Sequence, residues 1–129
     1  MRVKLTLAYD GTGYHGWQVQ KNGLTIQGEV EKALSRICAV NIRVHGSGRT
    51  DAGVHALGQV AHFDPPPGLL KVPWHRALNA ILPPSIRVLD FTPTDREFHA
   101  RFSARAKQYS YTLWTQGAFF YPQRRNFVW

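Results

Sequence analysis

The chain has 129 residues, 43% of them hydrophobic, which suits one globular domain with an ordinary core and argues against disorder. Sixteen Lys and Arg against eight Asp and Glu give a net charge of +8 and a pI near 10.2, a balance that points to an anionic partner such as nucleic acid, although charge also serves solubility alone. No stretch is long and apolar enough to span a bilayer, Met1 to Thr6 alternates rather than forming a signal segment, and Cys38 is the sole cysteine, so an internal disulfide is excluded and a reducing cytoplasm is expected.

Val3, Leu5, Leu7 and Tyr9 alternate with Lys4, Thr6 and Ala8, the period of a half-buried strand. Gly11-Thr12-Gly13-Tyr14-His15-Gly16 then spells a literal G-x-G-x-x-G. In a dinucleotide-binding unit the last glycine opens a helix, and Trp17 to Gly23 reads as loop, so the match is treated as a decoy. A glycine-rich aromatic loop also fits beside a nucleic acid strand, with Tyr14 or Trp17 stacking or supporting the site. Trp17 reads equally well as core.

Thr25 caps a helix starting at Ile26, whose apolar face is Ile26, Val30, Ala33, Leu34 and Ile37. A second strand is expected over residues 41–47 and a third over 58–64. Pro65-Pro66-Pro67-Gly68 makes a linker. Pro73 opens a second helix with Trp74, Ala77, Leu78 and Ile81 on its buried face, ended by Pro83-Pro84. Residues 86–91 give a fourth strand. The order is β-α-β-β-α-β, an α/β (α+β) ferredoxin-like unit with an antiparallel sheet and both helices on one face. Beyond it, residues 95–104 read as an irregular basic stretch. Alternation returns over 105–116, with Tyr109, Tyr111 and Leu113 on one face, and residues 126–129 read as the start of another strand.

Between the second and third strands lies Gly48-Arg49-Thr50-Asp51-Ala52-Gly53-Val54-His55. It carries one carboxylate, Asp51, on a loop with glycines at 46, 48 and 53, residues that permit sharp turns and close approach. Arg49, two residues before Asp51, offers a charge that would favour the ionised acid. A surface turn with an incidental ion pair has the same composition. Six histidines show no paired metal-ligand spacing and there is no second cysteine, so no metal is expected. A glycosidase needs two carboxylates flanking the bond. Acids are scarce here, and none but Asp51 occupies such a loop, so chemistry without a departing leaving group fits better.

This loop resembles the signature of the tRNA pseudouridine synthase A (TruA) family. Tyr9-Asp10-Gly11, Gly16-Trp17-Gln18, Gly58-Gln59-Val60, Phe98-His99-Ala100-Arg101-Phe102-Ser103-Ala104 and Lys107-Gln108-Tyr109-Ser110-Tyr111 agree with that family in order and spacing. The likeness covers nearly the whole chain, but family members are longer, so residues 1–129 resemble their N-terminal half as one loop-bearing domain. The resemblance implies an isomerase that turns uridine into pseudouridine in the anticodon stem and loop of tRNA, cofactor-free and homodimeric at full length. It implies Asp51 as catalytic carboxylate, with Arg49 its charged partner and a holder of the flipped nucleotide. Tyr109 would stack on the base, although by pattern alone it reads as a core tyrosine. Arg101 would touch phosphate. A second half would complete the cleft, so this length is expected to be inactive alone. The competing reading is a non-catalytic RNA-binding module of RRM-like architecture. A nucleotide-cofactor oxidoreductase would require a helix starting at Gly16.

Overall fold

The computed structural model describes residues 1–113, 115, 117 and 121–128. The elements are β1 (Arg2–Tyr9), α1 (Ile26–Cys38), β2 (His45–Gly46), β3 (Ala56–Phe63), α2 (Trp74–Asn79) and β4 (Ile86–Thr94). A short 3-10 turn at Pro122–Arg124 follows. The sheet order is β2-β3-β1-β4 and every pairing is antiparallel, the expected ferredoxin-like arrangement.

The alternation in β1 decides which face is which. Val3, Leu5, Leu7 and Tyr9 are buried. They meet Phe63, Ala61 and Gln59 across the ladder to β3. Ile26, Val30, Ala33 and Leu34 of α1 and Trp74 and Leu78 of α2 join the same cluster, so both helices cover one face. The opposite face, carrying Lys4, Thr6, Val60 and His62, is left to other partners. Thr25 caps α1 as expected, its Oγ1 accepting from the Gly28 amide at 3.1 Å.

Three expectations need correction. The second strand shrinks from residues 41–47 to His45–Gly46, although Ile42 and Val44 are buried. The reason is competition for backbone groups. Ser35 Oγ accepts from the Ile42 amide, Glu31 Oε1 accepts from the Val44 amide, and Gln27 Nε2 donates to the Val44 carbonyl. The segment is therefore hung from α1 by side chains rather than paired in the ladder. Second, residues 105–113 form no strand and are exposed throughout; residues 114 and 116 lie outside the described residues. Alternation needs a partner strand to become a ladder, and both flanking strands of the sheet, β2 and β4, leave this segment unpaired. Third, residues 126 and 127 continue a turn and residue 128 is irregular, so no strand starts here; residue 129 lies outside the described residues.

Candidate active site

The loop from Ser47 to His55 is fastened at almost every step. At its start, Ser47 Oγ donates to Gln59 Oε1 at 2.9 Å, and Gln59 Nε2 donates to the Gly48 carbonyl at 2.6 Å. Lys107 Nζ donates to the Ser47 carbonyl at 2.6 Å. In the middle, the Tyr9 hydroxyl meets Thr50 Oγ1 at 2.9 Å, and the Trp17 amide donates to the Thr50 carbonyl at 3.0 Å. Near the end, the Gly53 amide donates to the Tyr14 carbonyl and the Val54 amide to that of Asp51. Finally, His55 Nδ1 accepts from the Gly11 amide at 2.9 Å. That bond leaves the ring proton on Nε2, which donates to the Asn126 carbonyl. With Nδ1 so occupied, the Asp10 carboxylate 3.2 Å away is a close neighbour and not an acceptor. Asp10 instead takes a bond from Thr12, the main cause of its lowered pKa.

The G-x-G-x-x-G segment now has a function, and it is not to hold a dinucleotide. A Cβ on Gly11 would stand 2.1 Å from the Val54 carbonyl oxygen, and one on Gly16 would stand 2.4 Å from that of Thr50. The two glycines let one backbone loop lie directly on another. No helix begins at Gly16; α1 starts at Ile26, so the oxidoreductase reading fails its own criterion. Tyr14 and Trp17 are buried and belong to the core, which removes them as stacking platforms.

Against this fastening, the Asp51 side chain stands out. It is exposed and accepts no hydrogen bond among the described residues, and no ion pair to Arg49 forms within 4.0 Å. The backbone is held and the carboxylate is left available. Arg49 is exposed as well.

A cleft of about 940 Å³ lies over the open face of the sheet. Arg49 and Tyr109 both line it. Tyr109 is 69% exposed, so the core reading of that residue fails. Lys4, Arg105 and Lys107 add three more cations, and no Asp or Glu is among the described lining residues. Asp51 does not line this cleft. It borders a smaller pocket with His15, Gln18 and Gln20, and Thr50 lines both. Arg101 lines neither; its guanidinium lies over the Phe102 ring. The structure thus brings Arg49 and Tyr109 together, sets Asp51 on the adjoining rim, and leaves Arg101 outside.

Residues 98–104 form one wall. Arg2 fastens them, with a two-pronged pair to Asp64 at 2.8 and 3.2 Å and a third bond to the Phe98 carbonyl at 2.7 Å. His62, fully buried on the open face, accepts the Ala100 amide at Nδ1. Burial, with Arg2, His99 and His45 nearby, pulls the His62 pKa down to about 4. The rings of His45 and His99 pack on it, yet no group of three ligands suited to a metal occurs among the described residues. Lys107, Gln59 and His62 escaped the sequence reading. Lys107 and Gln59 lie within the motifs quoted above, but nothing in spacing distinguishes a brace from a bystander.

A family model described as tRNA pseudouridine synthase matches residues 6–103. The chain belongs to the tRNA pseudouridine synthase family. It is 55% identical over 128 residues to a protein named tRNA pseudouridine synthase A from Maridesulfovibrio salexigens, covering 99% of this chain and 47% of that one. Proteins of the same name from Geobacillus kaustophilus and Rhodospirillum rubrum are 52% and 54% identical, covering 88% of this chain and 45% and 41% of theirs. The chain therefore spans about half the length of the curated relatives it matches. The RRM-like alternative is not favoured by this family membership. RRM sheets stack bases on strand aromatics, whereas the open faces of β1 and β3 carry Arg2, Lys4, Thr6, Ala8, Gly58, Val60 and His62. No helix among the described residues is long and apolar enough to cross a membrane.

Proposed function

We propose that this chain is the loop-bearing part of an isomerase that converts uridine to pseudouridine in tRNA, with Asp51 as its catalytic carboxylate. One observation carries the reading: a carboxylate that is exposed and unbonded among the described residues, on a loop fastened at almost every step, beside a cation-lined cleft with no acid among its described lining. The N1–C1′ bond of uridine breaks, the uracil turns, and C5 bonds to C1′. The C5 proton leaves and N1 gains one, so composition is unchanged and no cofactor is consumed. Asp51 assists either by attacking C1′ or by removing the ribose 2′ proton, and both need a carboxylate held in place yet open to the ribose. Lys4, Arg49, Arg105 and Lys107 attract phosphates. The uridine must leave its stack, at a cost of a few kcal/mol, and Tyr109 offers a replacement face.

The finer reading takes the anticodon stem and loop as the site of action, a homodimer as the working form, and the cytoplasm as the place. Cys38 as the lone cysteine suits that compartment. With Lys4, Arg49, Arg105 and Lys107 along one cleft, this chain is expected to bind tRNA in a salt-sensitive way. In a protein of the relatives' length, Asp51→Asn is expected to lower pseudouridine formation by about 1,000-fold or more, the scale of losing an acid–base or nucleophilic group. Affinity for tRNA should hold or rise slightly, because a charge that repels phosphate is gone. Turnover near the parent rate would overturn the assignment.

A further inference from the structure

The core face of the sheet is apolar at β1 and β3 positions Val3, Leu5, Leu7, Ala61 and Phe63, and one amide interrupts it. Gln59, opposite Leu7, is 9% exposed. Burying an amide is unfavourable unless both of its ends are bonded. Here both ends are used, and both go to the loop: Oε1 to Ser47 Oγ and Nε2 to the Gly48 carbonyl. A leucine or methionine would fill the same space with less cost. Close by, the buried Tyr9 ring sends its hydroxyl to Thr50 Oγ1. The two side chains thus grip three of the four residues that precede Asp51 (Ser47, Gly48 and Thr50) from below, while the Gly11 and Gly16 contacts grip its flank.

We propose that Gln59 and Tyr9 are positioning residues, a buried polar brace that fixes where the Asp51 carboxylate stands relative to the ribose. The inference rests on Asp51 being the catalytic group. Gln59 borders the cleft and Tyr9 does not, but both polar ends of Gln59 are spent on the loop, so each residue acts through the loop backbone. Gln59→Glu separates the two bonds with little change in shape. It keeps an acceptor for Ser47 Oγ and sets an oxygen against the Gly48 carbonyl in place of the N–H that bonded it. Gln59→Met removes both bonds and keeps the volume. Tyr9→Phe removes only the hydroxyl.

The test compares these variants with Asn79→Ala, which deletes a side chain bonded to both the amide and carbonyl of Val88 in β4, away from the loop. In a protein of the relatives' length, Gln59→Met and Gln59→Glu are expected to lower kcat for tRNA by about 10- to 100-fold, the scale of a misplaced reacting group. KM should change less than threefold. Tyr9→Phe should show a smaller loss in the same parameter. Asn79→Ala should lower the thermal midpoint and leave kcat within twofold. In the 129-residue chain itself, hydrogen exchange at the Trp17 and Val54 amides, which bond to Thr50 and Asp51, should quicken in the Gln59 variants while β1 amides stay protected. If kcat stays at the parental value in the Gln59 variants, the proposal falls, and quickened exchange with parental kcat makes the brace merely structural. If Asp51→Asn retains turnover, the catalytic reading fails instead, whatever Gln59 does.

Discussion

Two stretches flank the cleft, and they are held very differently. The floor loop, residues 47–55, is bonded from β1, β3, the Gly11–Gly16 loop and Lys107, and two of its carbonyls lie where no Cβ could intrude. The far wall, residues 105–113, is exposed throughout, and Lys107 Nζ ties it to the floor through the Ser47 carbonyl. Past it, the Asn126 carbonyl and the Phe127 ring rest on His55. The difference is instructive. The group that would do chemistry sits on the fastened side, where ångström placement is worth most. The group that would stack on a base, Tyr109, sits on the exposed side, where a large anionic substrate can reach it.

The sharpest way to break this contrast is to pry the floor loose. Gly16→Ala sets a Cβ 2.4 Å from a backbone oxygen at a φ of +86°, and neither backbone can yield cheaply. Its expected cost is about 3–4 kcal/mol of folding stability, read by denaturant unfolding. Gly13→Ala has a similar φ of +81° and nothing within 4 Å, so it should cost only about 1–2 kcal/mol for the left-handed backbone. Equal losses at both positions would mean that the loops do not interlock.

The near wall, residues 98–104, offers a pH test. His62 must be unprotonated to accept the Ala100 amide, and its pKa falls from 6.5 to about 4. A depressed histidine pKa means that the unfolded chain binds the proton more readily. Stability is then full above pH 6.5 and declines as the pH falls toward about 4. The loss over that window is on the order of 3 kcal/mol. Arg2, Lys4, His45 and His99 face or flank this imidazole, and Asp64 offsets them only in part. His62→Gln, titrated by chemical denaturation, should flatten the slope between pH 6.5 and 4; a slope identical to the parent's would assign it to carboxylates instead.

On the far wall the prediction reverses, with binding affected and folding spared. Tyr109→Leu should weaken tRNA affinity by about 1–3 kcal/mol, while Tyr109→Phe keeps the stacking face and loses turnover more than binding. Thermal midpoints should stay near the parent's, because the ring is 69% exposed. A marked fall in midpoint would return Tyr109 to a structural role. The smallest effect belongs to Arg101→Ala, expected to reduce the salt dependence of tRNA binding by roughly one unit of slope. An unchanged slope would take Arg101 off the RNA surface, in keeping with its place outside the cleft lining.

Local rules made much of this protein legible. Alternation in Val3–Tyr9, the Thr25 cap and the 3.6-residue stripe of α1 depend only on neighbours in sequence, and all three hold. The antiparallel β-α-β-β-α-β order followed from them, and the Asp51 loop was distinctive by composition and by its resemblance to a family signature. What the sequence could not decide was who bonds to whom across long separations. Glu31, Ser35 and Gln27 took the backbone groups that would have lengthened β2. The alternation of residues 105–113 found no partner strand, so it placed Tyr109 in a cleft rather than a core. The literal glycine fingerprint proved to be two points where one backbone must touch another. Gln59, an ordinary amide in sequence, acquired meaning only when the ladder set it opposite Leu7 and beneath Gly48. Periodicity records which way a side chain faces, but a hydrogen bond to a loop eleven residues away depends on register and packing, which only the folded chain fixes.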